Sequence, residues 1–184
     1  MITIREYVEE DKEQIWEIIK SVISTGDTYV FAPDSPKEKM LAYWCGEDKK
    51  TYVAVLSEPP ASAGGLNLSE EDSALAGAIN EKIVGTFFLK ENQPDLGSHI
   101  ANAGYMVAPD TQGKGIGRKM AEFSLEEAKR LGFAAMQFNF VVKSNENAVR
   151  LWQNLGFEII GEIPEAFNHV ENGLTNAYIM YRKL

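Results

Sequence analysis

The seven residues Gln112-Gly113-Lys114-Gly115-Ile116-Gly117-Arg118 constrain this chain more than any others. They follow "GYMVAP", which reads as a strand, and open a helical pattern with Met120, Phe123, Leu125, Ala128 and Leu131 on its apolar face. The first turn of a helix leaves backbone N–H groups without partners, and the helix dipole favours negative charge there. Glycines let the backbone approach a bulky anion and take left-handed angles, so that successive N–H groups form a nest. Lys114 and Arg118 add positive charge at the rim. The strand–glycine–helix unit therefore reads as a phosphate or pyrophosphate site. The alternative is a glycine-rich turn with no ligand.

Two nucleotide readings fail. A P-loop needs Ser or Thr after its Lys to hold a magnesium ion, and here Gly115 follows Lys114. A dinucleotide fingerprint needs different glycine spacing, an early place in the chain and an acidic residue on the next strand. That next strand, "AAMQFNFVV", has no Asp or Glu.

The rest of the chain alternates strands and helices. Ile2 to Tyr7 is a strand candidate. Asp11 is placed to cap a helix with Ile15, Trp16, Ile18, Ile19, Val22 and Ile23 on one face. "STGDTYVFAPDSP" breaks the pattern, and a short helix runs from about Pro36 to Cys45. "KTYVAVLSE", "KIVGTFFLKEN" and "SHIANAGYMVAP" are strands. After the glycine run and its helix come the strand "AAMQFNFVV" and the helix "SNENAVRLWQNLG", which starts at Ser144 or Asn145 and stops at Gly156. A kinked strand, "FEIIGEIPEAF", and a last strand, "TNAYIMYRKL", close the order β-α-α-β-β-β-α-β-α-β-β. A single α/β domain is expected over residues 1–184, with a surface loop insertion around 57–80. The insertion reads as a lid or as a variable hairpin loop, with a short turn of helix in "LSEEDSALA".

Composition narrows the partners. The chain has 27 acidic and 18 basic residues, a formal net charge of −9, which argues against nucleic acid. One cysteine, Cys45, excludes a disulfide within the chain and reads as a small buried residue. "MITIREYVEEDKEQ" lacks the apolar core of a signal peptide, and no apolar run approaches membrane-spanning length. A cytoplasmic protein with no membrane contact is expected. No His, Cys and carboxylate spacing suggests a metal.

Gln112-x-x-Gly115-x-Gly117 after "GYMVAP" resembles the acyl-CoA pyrophosphate motif of the GNAT N-acetyltransferase superfamily. "SNENAVRLWQNLGF" resembles that superfamily's next motif, the helix beside the pantetheine arm. The resemblance implies a mixed α/β, mostly antiparallel sheet, split between its fourth and fifth strands and flanked by about four helices. It implies acetyl-CoA as cosubstrate, with the pyrophosphate on the amides of Gly113 to Arg118. Gln112 would start the pyrophosphate motif, the pantetheine amides would pair with Met106 and Val107, and Asn145 and Ala148 would lie against the arm. Where the family often has a tyrosine to protonate the leaving thiolate, this chain has Trp152, whose indole has no proton to give at neutral pH. Many relatives look dimeric, which makes a homodimer an expectation of the resemblance.

Amine acetylation needs a neutral amine, a thioester held close, and a donor for the developing oxyanion. Val107 or its neighbour is the natural backbone donor. Asn102 and Asn139 sit in otherwise apolar strands, where Asn is disfavoured. Either they hold the substrate's amine, its carboxylate or a water, or they are exposed or satisfied by backbone. Tyr105 alternates to the face opposite Asn102, and Gln137 shares its strand with Asn139. Thr28, Tyr29 and Phe31 stand where the superfamily often builds its acceptor pocket, with Asp27 or Asp34 to attract an ammonium. His99, His169 and Glu162 are further base candidates. The leading expectation is an N-acetyltransferase of a small amine such as an amino acid or its analogue. The alternatives are acetylation of a protein N-terminus or lysine, and a non-catalytic acyl-CoA sensor.

Overall fold

The computed structural model describes residues 1–58 and 80–184. The insertion expected around 57–80, with its turn of helix, lies outside the described residues except at its two ends. The described residues form one seven-stranded sheet in the order β1-β2-β3-β4-β5-β7-β6. The strands are β1 (Ile2–Glu6), β2 (Lys50–Glu58), β3 (Asn80–Glu91), β4 (Ile100–Val107), β5 (Ala135–Val142), β6 (Glu158–His169) and β7 (Gly173–Lys183). Helices α1 (Lys12–Ile23) and α2 (Lys37–Trp44) cover one face. Helices α3 (Ile116–Arg130) and α4 (Glu146–Asn154) cover the other. The order of elements and the mixed sheet agree with the sequence reading.

All neighbouring strands are antiparallel except β4 and β5. These are joined by the crossover helix α3, and a crossover is what a parallel pair requires. They pair only at Ile100↔Ala135 and Ala101↔Met136, then diverge. The sheet is thereby split between its fourth and fifth strands, as expected.

Alternation along β3 divides the core in two. Phe87 and Leu89 pack with Met120, Leu125 and Met136 under α3. Phe88 points the other way and packs with Ile15, Ile19, Trp44 and Met106 under α1 and α2. The kink expected in β6 is present as two register shifts and a left-handed Glu165 at φ 52°.

Asp11 departs from expectation. Its side chain makes no capping bond to α1. It accepts instead from the Val8 amide at 2.8 Å and from Arg5 at 2.6 and 2.9 Å. Burial pushes its carboxyl up, but the Arg5 and Val8 hydrogen bonds outweigh that and hold it below the usual range.

Candidate active site

The ladder between β3 and β4 decides which backbone groups of β4 reach the split. The Ala108 amide donates to Val84 O at 2.9 Å, and the Asn92 amide donates to Ile100 O at 2.8 Å. In an antiparallel pair such bonded pairs recur at every second residue. Even-numbered β4 residues therefore turn their amides to β3, and Ala103, Tyr105 and Val107 turn theirs to the split. Met106 turns its amide to β3. It stands opposite Thr86 in this ladder, and its side chain is buried in the core under α1 and α2. It also lines the cavity. Val107 has its amide on the edge of β4 that faces away from β3.

A single cavity of 460 Å³ runs through the split. At one end it is lined by Val107, Gln112, Asn145, Ala148 and Trp152. The glycine run stands beside this end, because Gln112 leads into it. Gly113 and Gly115 adopt φ of 77° and 76°, and Gly115 is the N-cap of α3. The first helical bond, Lys119 N to Gly115 O at 3.1 Å, lies beyond the amides of Ile116, Gly117 and Arg118. A Cβ built on Gly113 or Gly115 would meet nothing within 4 Å, so the space above the loop is open. These features fit a pyrophosphate. Arg118 donates to Glu122 at 2.8 Å along the exposed helix face, which leaves Lys114 as the less engaged cation. Asn145 Oδ1 accepts from the Ala148 amide at 3.2 Å and caps α4, so its Nδ2 is the group left for a ligand.

Trp152 is 8% exposed and packs between Tyr105 and Phe138, at centroid distances of 4.9 and 4.6 Å. Tyr105 does not replace the family's acidic phenol. Its hydroxyl lies 2.7 Å from Ser124 Oγ, which itself donates to Ala121 O under α3. Burial pushes this phenol far above its ordinary value, and the Ser124 hydrogen bond only partly offsets that.

At its other end the cavity is lined by Thr28, Tyr29, Phe31, Tyr43 and Phe88. Tyr29 Oη donates to Tyr105 O at 2.8 Å and accepts from Tyr105 N at 2.9 Å. The floor is Gly104, where a Cβ would stand 2.8 Å from the Phe88 ring and 3.4 Å from Tyr29 Oη. Asn102 and Asn139 both line the cavity, and a third residue joins them. Asn92 Oδ1 accepts from Asn102 Nδ2 at 3.0 Å and from Asn139 Nδ2 at 2.7 Å. Gln137 Nε2 donates to Asn139 Oδ1 at 2.8 Å. The two strands that diverge at the split are thus tied through a chain of carboxamides.

Lys90, opposite Asn102 in the ladder, is the only charged side chain among the described residues that line the cavity. Sequence reasoning missed Lys90 and Asn92. Both belong to "KEN" at the end of β3, where polar residues are ordinary and carry no signal.

The remaining candidates lie elsewhere. Asp27 accepts from Thr25 Oγ1 at 2.5 Å, and neither it nor Asp34 lines the cavity. His99 is exposed. His169 Nδ1 accepts the amides of Glu171 and Asn172 at 3.1 and 3.2 Å in the β6–β7 turn. Glu162 accepts from Lys143 on the exposed face of β6 at 2.7 Å. Cys45 is half-buried, and burial pushes its thiol up to about 11. Among the described residues, no group of three His, Cys, Asp or Glu could hold a metal, and no helix is long and apolar enough to cross a membrane.

Known proteins share both sequence and fold with this chain. N-acetyltransferase aca1 of Schizosaccharomyces pombe is 40% identical over 98 residues, which is 53% of this chain and 47% of that protein. L-amino acid N-acyltransferase MnaT of Escherichia coli is 33% identical over 67 residues, 36% of this chain and 38% of that protein. The chain thus matches less than half the length of these curated relatives. A GCN5-related N-acetyltransferase from Kribbella flavida superposes with a TM-score of 0.81 at 32% identity, covering 100% of this chain and 98% of that one. A phosphinothricin acetyltransferase from Sinorhizobium meliloti, solved in complex with AcCoA, shares the fold with a TM-score of 0.75 at 19% identity, covering 100% and 88%. The model of the Acetyltransferase (GNAT) family matches residues 31–157, which spans both the glycine nest and the split that it adjoins, and the chain belongs to that family.

Proposed function

We propose that the protein is an acetyl-CoA-dependent N-acetyltransferase acting on the amine of a small molecule, an amino acid or an analogue, by direct attack with both substrates bound. The observation that carries this reading is the single cavity through the split. It joins the wall of Gln112, Asn145 and Trp152 to the wall of Tyr29, Phe31 and Asn102. Acetyl-CoA supplies an acetyl group activated as a thioester. An N–C bond forms, the C–S bond breaks, and the amine gives up one proton as the thiolate leaves. The chain's own work is to hold and orient. The amides of Gly113 to Arg118 suit the pyrophosphate, and the Val107 edge suits the pantetheine amides.

Asp, Glu and His are absent from the described lining residues, so the amine's proton is best passed to water. Lys90 and the carboxamides of Asn92, Asn102 and Asn139 suit an acceptor that carries a carboxylate. The relationship to the Escherichia coli L-amino acid N-acyltransferase supports the same class. Tyr29 occupies both groups of Tyr105 on the open edge of β4, which leaves a peptide less edge to pair with.

The test is thiol release from acetyl-CoA against amino acids, their toxic analogues, polyamines and short peptides. Release with amino acids or their analogues is expected. Release only with peptides would overturn the acceptor class. A second reading, a non-catalytic acyl-CoA-binding module, is favoured by Trp152 in the tyrosine's place. Acetyl-CoA binding without release for any amine would select it. Trp152→Phe keeps an aromatic ring between Tyr105 and Phe138. It is expected to change turnover less than about tenfold. A fall of several orders of magnitude with binding intact would assign the indole N–H to the chemistry.

A further inference from the structure

We propose that Tyr29, from the loop between α1 and α2, is a catalytic donor whose hydroxyl acts with the Tyr105 N–H to hold the acyl carbonyl oxygen during transfer. The inference rests on the N-acetyltransferase reading above. It starts from the edge of β4 that faces the split. Going inward from the glycine nest, the first backbone edge is Val107 and the next is Tyr105. Two residues of extended strand separate them by about 7 Å. An arm whose amide pairs with Val107 therefore brings its short cysteamine end, and the thioester, to Tyr105.

Tyr29 is already at that place. Its oxygen is 2.9 Å from the Tyr105 nitrogen and 2.8 Å from the Tyr105 oxygen. Both bonds span 76 residues of sequence, so the loop is held there by its packing and not by local turn geometry. The Tyr29 ring stacks on Phe31 at 6.1 Å and meets the edge of Trp44 at 6.0 Å. Gly104 leaves the room for it, since a Cβ there would already press on Phe88 and touch Tyr29 Oη. Burial pushes the Tyr29 phenol far above its ordinary value, so it stays protonated and remains a donor.

In the ligand-free chain one hydroxyl satisfies both backbone groups of Tyr105. An acyl oxygen that shares the Tyr105 N–H with Tyr29 Oη lies beside that hydroxyl. Rotation about the Cζ–Oη bond moves the Tyr29 O–H from Tyr105 O to the acyl oxygen. Tyr105 O is then free to accept an N–H of the incoming amine. Negative charge gathers on the acyl oxygen as the N–C bond forms, and returns from it as the C–S bond breaks. The thiolate leaves with that electron pair and takes its proton from water. Tyr29 keeps its own proton throughout, so its role is electrostatic.

Tyr29→Phe removes the hydroxyl and keeps the ring. Two readouts test it. The first is the infrared carbonyl stretch of isotope-labelled acetyl-CoA bound to the protein. It is expected to lie well below the free value in the wild type and to move back toward it in the variant. The second, with an acceptor from the thiol-release panel, is a fall in kcat of about 100-fold with the acetyl-CoA KM within about threefold. A fluorinated tyrosine at position 29, a stronger donor of nearly the same size, is expected to lower the stretch further. It serves also if Tyr29→Phe does not fold. A carbonyl band that ignores all three side chains, or a kcat within about threefold of wild type, would overturn the role of Tyr29. Failure of the wild type to bind acetyl-CoA would instead overturn the N-acetyltransferase reading.

Discussion

Replacing Gly115 with valine is expected to weaken acetyl-CoA binding by about one to two orders of magnitude. Gly115 sits at φ 76° at the N-cap of α3, a conformation that a β-branched residue adopts only under strain. Strain of this kind costs about 1–3 kcal/mol and is relieved if the loop rebuilds. Rebuilding turns the amides of Ile116, Gly117 and Arg118 away from a common point. Hydrogen bonds to a charged group contribute about 1.5–3 kcal/mol each, and losing one of them accounts for the expected weakening. The open space around Gly115 matters to the interpretation. No protein atom would collide with the new side chain, so the fold is expected to survive with a modestly lower melting temperature. Calorimetric titration with acetyl-CoA checks the result. Unchanged affinity in the folded variant would remove the pyrophosphate from this loop.

The glycine nest was legible because everything it needs is local. Strand, left-handed glycines and helix start follow one another in sequence, and the same holds for Asn145 as the cap of α4. The split was legible only through the family resemblance, since no local pattern announces where two parallel strands diverge. Met106 and Val107 could not be told apart in one strand. Which of two neighbours turns its amide to the split depends on the register with β3, and register is a property of the pair. Asn102 and Asn139 stood out as polar residues in apolar strands. Their common partner Asn92 did not, because a polar residue at the end of a strand is ordinary. Asp11 stood where a helix cap stands, but Arg5 offered its carboxylate a stronger partner than the helix amides. Tyr29 was placed in the pocket by its loop, while its bond to Tyr105 became visible only once the loop was folded over β4.

Trp44→Ala is expected to destabilise the fold by about 3–5 kcal/mol, a drop in melting temperature of about 10 °C for a domain of this size. Trp44 is fully buried, at 0% exposure, at the end of the short helix α2. Its ring meets Phe88 edge-on at 4.9 Å, and its Nε1 donates to Thr86 Oγ1 at 3.0 Å. Thr86 in turn donates to Tyr52 O at 2.9 Å, so the indole links α2 through a buried hydroxyl to β2 and β3. Truncation opens a cavity that the surrounding strands cannot close, because they are fixed by their ladders. It also strips a donor from a buried hydroxyl. The loss extends to the acceptor wall, since Tyr29 rests its edge on the same ring. Acceptor KM is therefore expected to rise more than the affinity for acetyl-CoA falls, because the nest at α3 lies across the sheet from α2. Equal losses in both, in a variant that remains folded at the assay temperature, would mean that the two ends of the cavity are coupled through the sheet. A melting temperature lowered by less than about 3 °C would mean that α2 repacks over β3 without its tryptophan.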